Sequence, residues 1–349
     1  MFLVVNEAYD DSEHVDPGHP ERPDRVTAAR AGVADLHLGS DLIVVPAYSA
    51  SRAELLRVHS GDYLDELGAF CYSGGGDIDA DTFATFDSMS IARLAAGGGL
   101  AVIGELQRRG DGVGFVVTRP PGHHALADRA MGFCLLNNVA VAAAALRDQG
   151  ERVLIVDWDV HHGNGTQQIF WDDPGVLYVS THQWPLFPGS GTASEVGGRN
   201  AIDRTVNIPL PAGATGDVVR RAIDEVAAPV IDAFHPTWVL VSAGFDAHRA
   251  DPMADLQLTN SDFAEMARSV GGFAPRAGRV ALFLEGGYDL NALRSSVHAS
   301  LSSLLGETRD VVEPSSTGGP GSDHVTRLQR ERQVALEIVR SHEDEETAL

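Results

Sequence analysis

The chain has 349 residues, 44% of them hydrophobic, so it is long enough for one large α/β domain or two smaller ones. Its formal net charge of −23 argues against nucleic acid as a direct ligand and suits cationic partners such as lysine-rich tails or polyamines, although solubility alone explains the charge equally well. No run of about 18 apolar residues occurs, so we expect no membrane span.

The N-terminal residues predict a short strand over residues 2–5 and lack the basic stretch that begins a signal peptide. A loop rich in proline follows over residues 13–23, a helix is predicted to begin near Asp24, and a second strand is predicted over residues 42–45. Residues 72–81 predict a loop rich in glycine and aspartate. The only two cysteines lie far apart in sequence, which favours a reduced, cytoplasmic protein.

From residue 90 onward, apolar runs alternate with helical segments. A helix is predicted over residues 90–109, although three consecutive glycines at residues 97–99 weaken that prediction. Continuous apolar strands that alternate with helices predict a mostly parallel sheet covered by helices on both faces. The other predicted strands cover residues 114–117, 153–156, 176–179, 238–241 and 280–284, and the other predicted helices cover residues 136–149, 217–234, 261–274 and 290–305.

The last part of the chain differs in composition from the alternating region. We predict one domain over residues 1–312 and a linker rich in proline, serine and glycine over residues 313–322. Residues 323–349 form a C-terminal tail, in which a charged helix is predicted over residues 323–341 and the acidic residues after it are expected to fray. This tail is too short to be a domain, and we expect it to pack on the surface or to form an oligomer contact.

Chemically reactive side chains follow almost every predicted strand. Ligands of open α/β sheets bind beyond the carboxyl ends of the strands, so we expect these side chains to meet at one edge. After the strand at residues 153–156, Asp157, Asp159 and His161 would face one side if the strand continues. Two carboxylates and an imidazole favour a divalent cation, zinc before others. The alternative is a polar strand end with helix-capping residues.

A catalytic zinc takes about three protein ligands and leaves positions open for water and substrate. Asp159 and His161 supply two of these ligands, and Asp246, which follows another predicted strand, is the best third. Such a metal polarises a carbonyl group and activates water, so the predicted reaction class is hydrolysis of an amide or an ester.

Two adjacent histidines, His123 and His124, are the candidates for general acid and base. Asp157 and Asn164 are candidate partners that fix their tautomers, although Asn164 is otherwise a turn residue between two glycines. Tyr288 could donate to a developing oxyanion, and its alternative role is an aromatic plug at a strand end. A pair of adjacent histidines is also common on surfaces and in cores.

Six motifs in this chain resemble the zinc-dependent histone deacetylase family, which includes bacterial deacetylases and acetylpolyamine amidohydrolases. The resemblance runs from about residue 14 to residue 305, and Asn164 places the chain near the class II branch. The motifs are Pro-Pro-Gly-His-His-Ala, Gly-Phe-Cys-Leu-Leu-Asn-Asn, Asp-Trp-Asp-Val-His-His-Gly-Asn-Gly-Thr-Gln, Phe-Pro-Gly-Ser-Gly, Ala-Gly-Phe-Asp-Ala-His and Leu-Glu-Gly-Gly-Tyr.

The resemblance implies an arginase-like, three-layer α/β/α fold and a deacetylase domain that ends near residue 312. It implies Zn²⁺, or Fe²⁺, on Asp159, His161 and Asp246. The implied substrates are acetylated lysine in proteins, acetylpolyamines and other small acylated amines, and the chemistry alone does not distinguish among them.

The resemblance also implies a role for each candidate catalytic residue. His124 would be the general base and acid, and His123, paired with Asp157, an electrostatic helper. Tyr288 would polarise the acetyl carbonyl, which implies an active enzyme. The implied walls of the acyl-lysine channel are Gly132, Phe133 and Phe187, although aromatic residues in loops are more often simple packing.

A structural potassium ion is implied near the zinc site. An acidic residue at the rim, Asp79 or Asp81, would anchor the backbone of the substrate. The potassium ligands would be backbone oxygens of Asp157, Asp159 and His161 and the hydroxyl of Ser180.

Two rival functions stay open at this point. A ureohydrolase with two manganese ions shares the fold, but it would place another aspartate where this chain has Ala247-His248. A non-catalytic protein that binds acetyl-lysine would be expected to have lost a ligand, a histidine or the tyrosine, and none of these is missing.

Overall fold

The structure is a computed structural model that describes residues 1–306 and 313–347, with side chains up to residue 341. Its ten strands are β1 (Leu3–Asn6), β2 (Leu42–Val45), β3 (Gly75–Asp77), β4 (Phe83–Thr85), β5 (Val113–Val116), β6 (Val153–Asp157), β7 (Val176–Gln183), β8 (Thr205–Leu210), β9 (Trp238–Ala243) and β10 (Val280–Leu284).

Eight of these strands form one sheet in the order β2-β1-β5-β10-β9-β6-β7-β8. Every neighbouring pair in this sheet is parallel. Successive side chains of β6 alternate between the two faces: Leu154 and Val156 belong to one buried cluster, and Val153 and Ile155 belong to the other. Both faces are buried, so the strand needs a continuous apolar run.

Helices cover both faces of the sheet. Helices α1, α9, α10 and α11 contribute to the cluster on one face, and α3, α4 and α5 contribute to the cluster on the other. The predicted three-layer α/β/α fold with a mostly parallel sheet is confirmed. The helices are α1 (Asp24–Ala34), α2 (Arg52–Leu55), α3 (Gly61–Tyr72), α4 (Ser88–Arg109), α5 (Asn138–Arg147), α6 (Asn164–Ile169), α7 (Gly216–Ala222), α8 (Ala228–Phe234), α9 (Asn260–Gly271), α10 (Leu290–Leu304) and α11 (Ser322–Thr347).

Three elements differ from the sequence prediction. The glycine- and aspartate-rich segment is not only a loop, because β3 lies within it and pairs with β4 as an antiparallel hairpin. Strand β8 was not predicted: it carries Asn207 and Pro209, which interrupt its apolar pattern, and proline is tolerated there because β8 is an edge strand. The helix predicted over residues 217–234 contains a π-helical segment, Ile223–Ala227, between α7 and α8.

The predicted linker is packed against the domain. Ser316 donates from its hydroxyl to Asp262 Oδ2 over 2.6 Å and accepts the backbone N–H of Gly216 over 2.8 Å. The helix after it, α11, buries Val325 and Leu328 in the core. The predicted domain end at residue 312 and residues 348–349 of the predicted tail lie outside the described residues, and the predicted oligomer contact stays a prediction.

Helix α4 contains the three glycines, and its packing requires two of them. A Cβ on Gly97 would overlap the carbonyl oxygen of Tyr48, and one on Gly99 would lie 2.6 Å from the Phe283 ring. Among the described residues, α4 is the one helix that could cross a membrane by length and composition, and 56% of its most apolar window is buried inside the fold. Packing of this kind is that of a core helix between a sheet and a loop.

We predict that Gly97→Ala destabilises the protein by about 1–3 kcal/mol or more, because the methyl group overpacks a backbone contact. Gly104→Ala in the same helix is the matched control: no atom lies within 4 Å of its Cβ, so we expect a gain of up to about 1 kcal/mol. Urea unfolding of both variants beside the wild type measures the difference. Equal midpoints for the two variants would contradict the packing that we describe.

Candidate active site

The carboxyl ends of the parallel strands surround one cavity of about 180 Å³. The loops after β5, β6, β9 and β10 supply most of its wall, as expected for a parallel sheet, and the loop after β7 adds an aromatic side chain. The lining residues are Asp81, Pro121, His123, His124, Gly132, Phe133, His161, Phe187, Met253, Gly286 and Tyr288.

Asp159, His161 and Asp246 form the candidate metal site. Their ligand atoms lie within 4.8 Å of one another, and all three residues are buried. His161 Nδ1 lies 3.1 Å from Asp159 Oδ1 and 3.2 Å from Asp246 Oδ2. Strand β6 ends at Asp157, so the strand does not continue to His161, which was the condition for the three side chains to face one side. The turn after β6 brings Asp159 and His161 together instead.

The donor atoms fit a divalent cation. Asp246 Oδ2 is buried and accepts no hydrogen bond, although it faces His161. Burial lowers the pKa of His161, but the Asp159 and Asp246 carboxylates outweigh it and raise that pKa to about 10. Two buried carboxylates around one imidazole nitrogen therefore favour a positive charge between them, and two oxygen donors with one nitrogen donor can hold a metal ion there.

Backbone amides hold both carboxylates in place. Gly286 donates its N–H to Asp159 Oδ2 over 2.7 Å, and Val160 donates its N–H to Asp246 Oδ1 over 2.9 Å. A Cβ on Gly286 would overlap Asp246 Oδ2, so only glycine lets the backbone come this close. The site is therefore built from two strand ends and from the glycine-rich loop after β10.

The two adjacent histidines have different partners. His123 Nδ1 lies 2.9 Å from Asp157 Oδ2, and His124 Nδ1 lies 2.7 Å from Asn164 Oδ1. These contacts are the ones that the sequence predicts. Asp157 Oδ2 also accepts the hydroxyl of Tyr178 over 3.1 Å. One ring is thus paired with a carboxylate and the other with a neutral amide.

The partners separate the pKa values of the two rings. Burial lowers the pKa of His123, but Asp157 and then Asp159 raise it to about 10. Burial lowers the pKa of His124 well below its usual value, and positive charge on His123 and His161 lowers it further. His123 is therefore a cation at neutral pH, whereas His124 is neutral and can accept a proton.

Tyr288 lines the cavity with its phenol protonated, because burial raises the pKa of this group well above its usual value. The guanidinium of Arg25 lies 4.8 Å from the centre of the Tyr288 ring, and Arg25 Nε donates to the carbonyl of Gly287 over 2.7 Å. Arg25 also donates to the carbonyl of Glu285. Arg25 therefore ties α1 to the loop that carries the tyrosine.

A buried ion cluster supports Arg25, and the sequence did not predict it. Glu21 accepts from Arg119 Nε over 2.6 Å and from Arg25 Nη1 over 3.1 Å. The loop over residues 13–23 was predicted only as irregular structure. The one available signal was the charged sequence around Glu21 and Arg25 amid prolines, whereas Arg119 is 98 residues from Glu21.

Glu285 is a second supporting residue without a predicted role. Its Oε2 accepts the backbone N–H groups of Gly122 over 2.6 Å and of His123 over 3.1 Å. Burial raises the pKa of Glu285 to about 7. The carboxylate fixes the start of the two-histidine segment against the loop after β10.

The predicted channel residues line the cavity. The Phe187 ring lies 5.1 Å from the His124 ring, and the Phe133 ring lies 6.0 Å from the Tyr288 ring. Phe133 has a φ of +69°, in the left-handed region, which is uncommon for a phenylalanine. A Cβ on Gly132 would lie 2.5 Å from the His124 ring, so the small residue leaves room for that imidazole.

Asp81, one of the two predicted rim residues, lines the cavity, whereas Asp79 is not among the lining residues. Burial raises the pKa of Asp81. His19 Nε2 lies 3.2 Å from the carbonyl oxygen of Asp81, and the His19 ring packs edge-on against Phe133 at 4.6 Å. The N-terminal loop thus braces both a rim residue and a wall residue.

The predicted potassium ligands lie along the same strand ends. Ser180 is the β7 partner of Asp157 in the parallel ladder, and its Oγ lies 2.9 Å from His182 Nδ1. Asp159 and His161 follow in the turn after β6. Potassium binding at this position stays a prediction.

Comparisons with known proteins agree with the resemblance in the sequence. A family model described as a histone deacetylase domain matches residues 19–304. A histone deacetylase-like amidohydrolase from Pseudomonas aeruginosa is 38% identical over 276 residues, which are 78% of this chain and 73% of that protein. A probable deacetylase from Archaeoglobus fulgidus is 39% identical over 293 residues, which are 82% of this chain and 81% of that protein.

The fold also matches a solved structure. The crystal structure of the HDA15 HD domain superposes with a TM-score of 0.85 at 35% sequence identity, over 98% of both chains. The deacetylase-like fold class predicted from the sequence is therefore confirmed.

We predict that Asp246→Ala abolishes metal binding, because it removes one of three ligands. Metal analysis after dialysis should give about one equivalent per chain for the wild type and none for the variant. The exposed Asp232 offers a control of the same charge change, and Asp232→Ala should keep its metal. Retention of a full equivalent by Asp246→Ala would place the metal elsewhere.

Proposed function

The chain belongs to the histone deacetylase family, and from this premise we propose that it is a zinc-dependent amidohydrolase. It would remove acetyl or related short acyl groups from the amine of acetyl-lysine in proteins or of small acylated amines. The observation that carries the proposal is one cavity lined by a neutral histidine, a protonated tyrosine and His161, a member of the candidate metal site.

Asp159, His161 and Asp246 would hold the metal. Two oxygen donors and one nitrogen donor suit zinc, and Fe²⁺ suits the same set. When bound, the metal supplies Lewis acidity toward the acyl carbonyl and the attacking water. We also propose that potassium has a structural role at Asp157, Asp159, His161 and Ser180.

His124 would carry the proton from one step to the next. Its Nδ1 faces the Asn164 oxygen, so Nε2 is left to accept a proton from the water that attacks the acyl carbon. The same nitrogen then returns that proton to the amine as the C–N bond breaks. The products are a carboxylic acid, acetate for an acetyl group, and a free amine.

Tyr288 and His123 would stabilise negative charge. The phenol of Tyr288 stays protonated and can donate to the oxyanion that develops from the acyl carbonyl. His123, held as a cation by Asp157, adds a fixed positive charge beside His124, and the two rings lie 4.0 Å apart. These groups are in place before a substrate arrives, which is what electrostatic stabilisation of a transition state requires.

The walls of the cavity suit an apolar stem that ends in an amide. Gly132, Phe133 and Phe187 would line the channel around the methylene groups of acyl-lysine or of an acylated polyamine. Asp81 would lie at the rim, where a carboxylate can accept N–H groups of a peptide or an amine. The proposal therefore includes both acyl-lysine in proteins and acylated polyamines as substrates.

The structure does not favour a ureohydrolase with two metal ions. Among the described residues, Asp159, His161 and Asp246 are the only group of at least three ligands that converge. His248, at the position after Ala247, accepts the backbone N–H of Ala250 at Nδ1 and stacks on Phe263. This ring is used in packing, which favours one metal.

A kinetic screen tests the proposed function. The purified, zinc-loaded protein is assayed for acetate release from acetyl-lysine peptides, acetylputrescine and acetylspermidine. The proposal predicts hydrolysis of at least one of them, and the ratio of kcat/KM values assigns the substrate class. Release of urea from guanidino compounds, with no acylamine hydrolysed, would reject the proposal.

We predict that Tyr288→Phe lowers kcat far more than it raises KM, because the hydroxyl bonds the oxyanion more strongly than the ground-state carbonyl. Loss of one such donor costs about 2.7–4 kcal/mol, or roughly 10²–10³ in rate. Steady-state kinetics on the best substrate measure both constants. A change in kcat within about threefold would show that Tyr288 only packs.

We predict that Asn164→Asp moves the acidic limb of the kcat/KM profile to higher pH. His124 must be neutral to accept a proton, and a carboxylate partner favours the imidazolium and raises the pKa of the ring. Activity is then lost at a higher pH as the solution is acidified. The limb reports a coupled group of titrating residues, so His123→Ala is measured in parallel.

Gln149→Glu, at the opposite edge of the sheet, controls for the added charge and should leave the limb in place. A limb that stays put or moves to lower pH in Asn164→Asp would mean that Asn164 does not act through the general base.

A further inference from the structure

We propose that Asp251 is a positioning residue that holds Tyr288 and Met253 in place at the active-site cavity; this inference rests on the proposed function. Asp251 lies in the loop between β9 and α9, five residues after Asp246, and only 6% of it is exposed. It is not among the residues that line the cavity, so it would act through its neighbours.

Both oxygens of the Asp251 carboxylate accept backbone N–H groups, and two of the three donors belong to residues that line the cavity. Oδ2 accepts the N–H of Tyr288 over 2.6 Å and the N–H of Asp289 over 3.1 Å. Oδ1 accepts the N–H of Met253 over 3.1 Å. Tyr288 and Met253 both line the cavity, so one buried side chain fixes two residues of the wall.

The loop that carries Tyr288 needs such an anchor. Gly286 and Gly287 precede the tyrosine, and Gly287 has a φ of +120°, so this backbone is intrinsically permissive. Arg25 holds the carbonyl of Gly287 from one side. Asp251 holds the following two amides from the other side, so the tyrosine backbone is fixed on both sides.

A carboxylate is the side chain that suits three donors. Burial and the Asp246 carboxylate raise the pKa of Asp251 to about 7, whereas the three backbone N–H groups favour its ionised form. Asparagine has the same shape but only one oxygen. It can keep the two N–H groups of Tyr288 and Asp289, and its NH₂ group would then face the N–H of Met253 and displace it.

This difference between the two substitutions makes the test specific. We expect Asp251→Ala to lower kcat by up to about 10²-fold, the cost of misplacing a catalytic group by about 1 Å. We expect Asp251→Asn to keep kcat within about threefold of the wild type and to raise KM, because the Met253 side alone shifts. Metal content should stay at about one equivalent per chain in both variants.

A double-mutant cycle shows whether Asp251 acts through the tyrosine. In a Tyr288→Phe background, Asp251→Ala should change kcat by no more than about twofold, because the hydroxyl that it positions is already gone. If the double variant instead loses kcat by the product of the two single-variant losses, Asp251 only supports the fold. If Asp251→Ala does not fold, Asp251→Asn decides: a KM unchanged from that of the wild type would overturn the inference.

A crystal structure of each Asp251 variant gives a readout without turnover. The Tyr288 ring should leave its place beside Arg25 in Asp251→Ala and keep it in Asp251→Asn, and an unmoved ring in Asp251→Ala would overturn the inference. This readout also separates the two proposals. A wild-type protein that hydrolyses no acylamine would reject the proposed function, and the position of the ring would still decide the role of Asp251.

Discussion

Two buried carboxylates face one imidazole nitrogen, and this arrangement, on which the rest of the site depends, favours positive charge between them. Burying an ion costs several kcal/mol unless a partner compensates it. Backbone N–H groups of Gly286 and Val160 compensate one oxygen each of Asp159 and Asp246, yet Asp246 Oδ2 is left without a hydrogen bond. A metal ion held by Asp159, His161 and Asp246 would complete the balance, and it would supply Lewis acidity in the cavity.

The parallel sheet is what makes this convergence available. Strands β5, β10, β9 and β6 are consecutive neighbours, and all of their carboxyl ends lie at one edge. Four loops therefore meet without any long connection across the sheet. The same edge gives the two adjacent histidines partners of different charge. Strand β6 ends in Asp157, a carboxylate beside His123, whereas α6 begins with Asn164, a neutral amide beside His124.

Much of this could be predicted from the sequence, and the parts that could not have two physical reasons. The inner strands of the parallel sheet were predicted because both of their faces are buried and demand apolar runs, as in Val153–Asp157. Edge strand β8 and the hairpin of β3 and β4 were not, because polar, proline and glycine residues break the pattern there. Asp159, His161 and Asp246 lie in sequence motifs, so they could be predicted as candidate metal ligands. The supports of the site, such as Arg25 under Tyr288, join residues 263 positions apart, and no local pattern encodes that pairing.

The central claim is that one metal ion, held by two carboxylates and an imidazole, supports hydrolysis of acylated amines. Titration of the metal-free protein with Zn²⁺, with acetate release from an acetyl-lysine peptide and acetylspermidine as the readout, tests it most directly. The account predicts that activity rises in proportion to zinc and saturates at about one equivalent per chain. Saturation at about two equivalents, or no hydrolysis of either acylamine at any ratio, would contradict it.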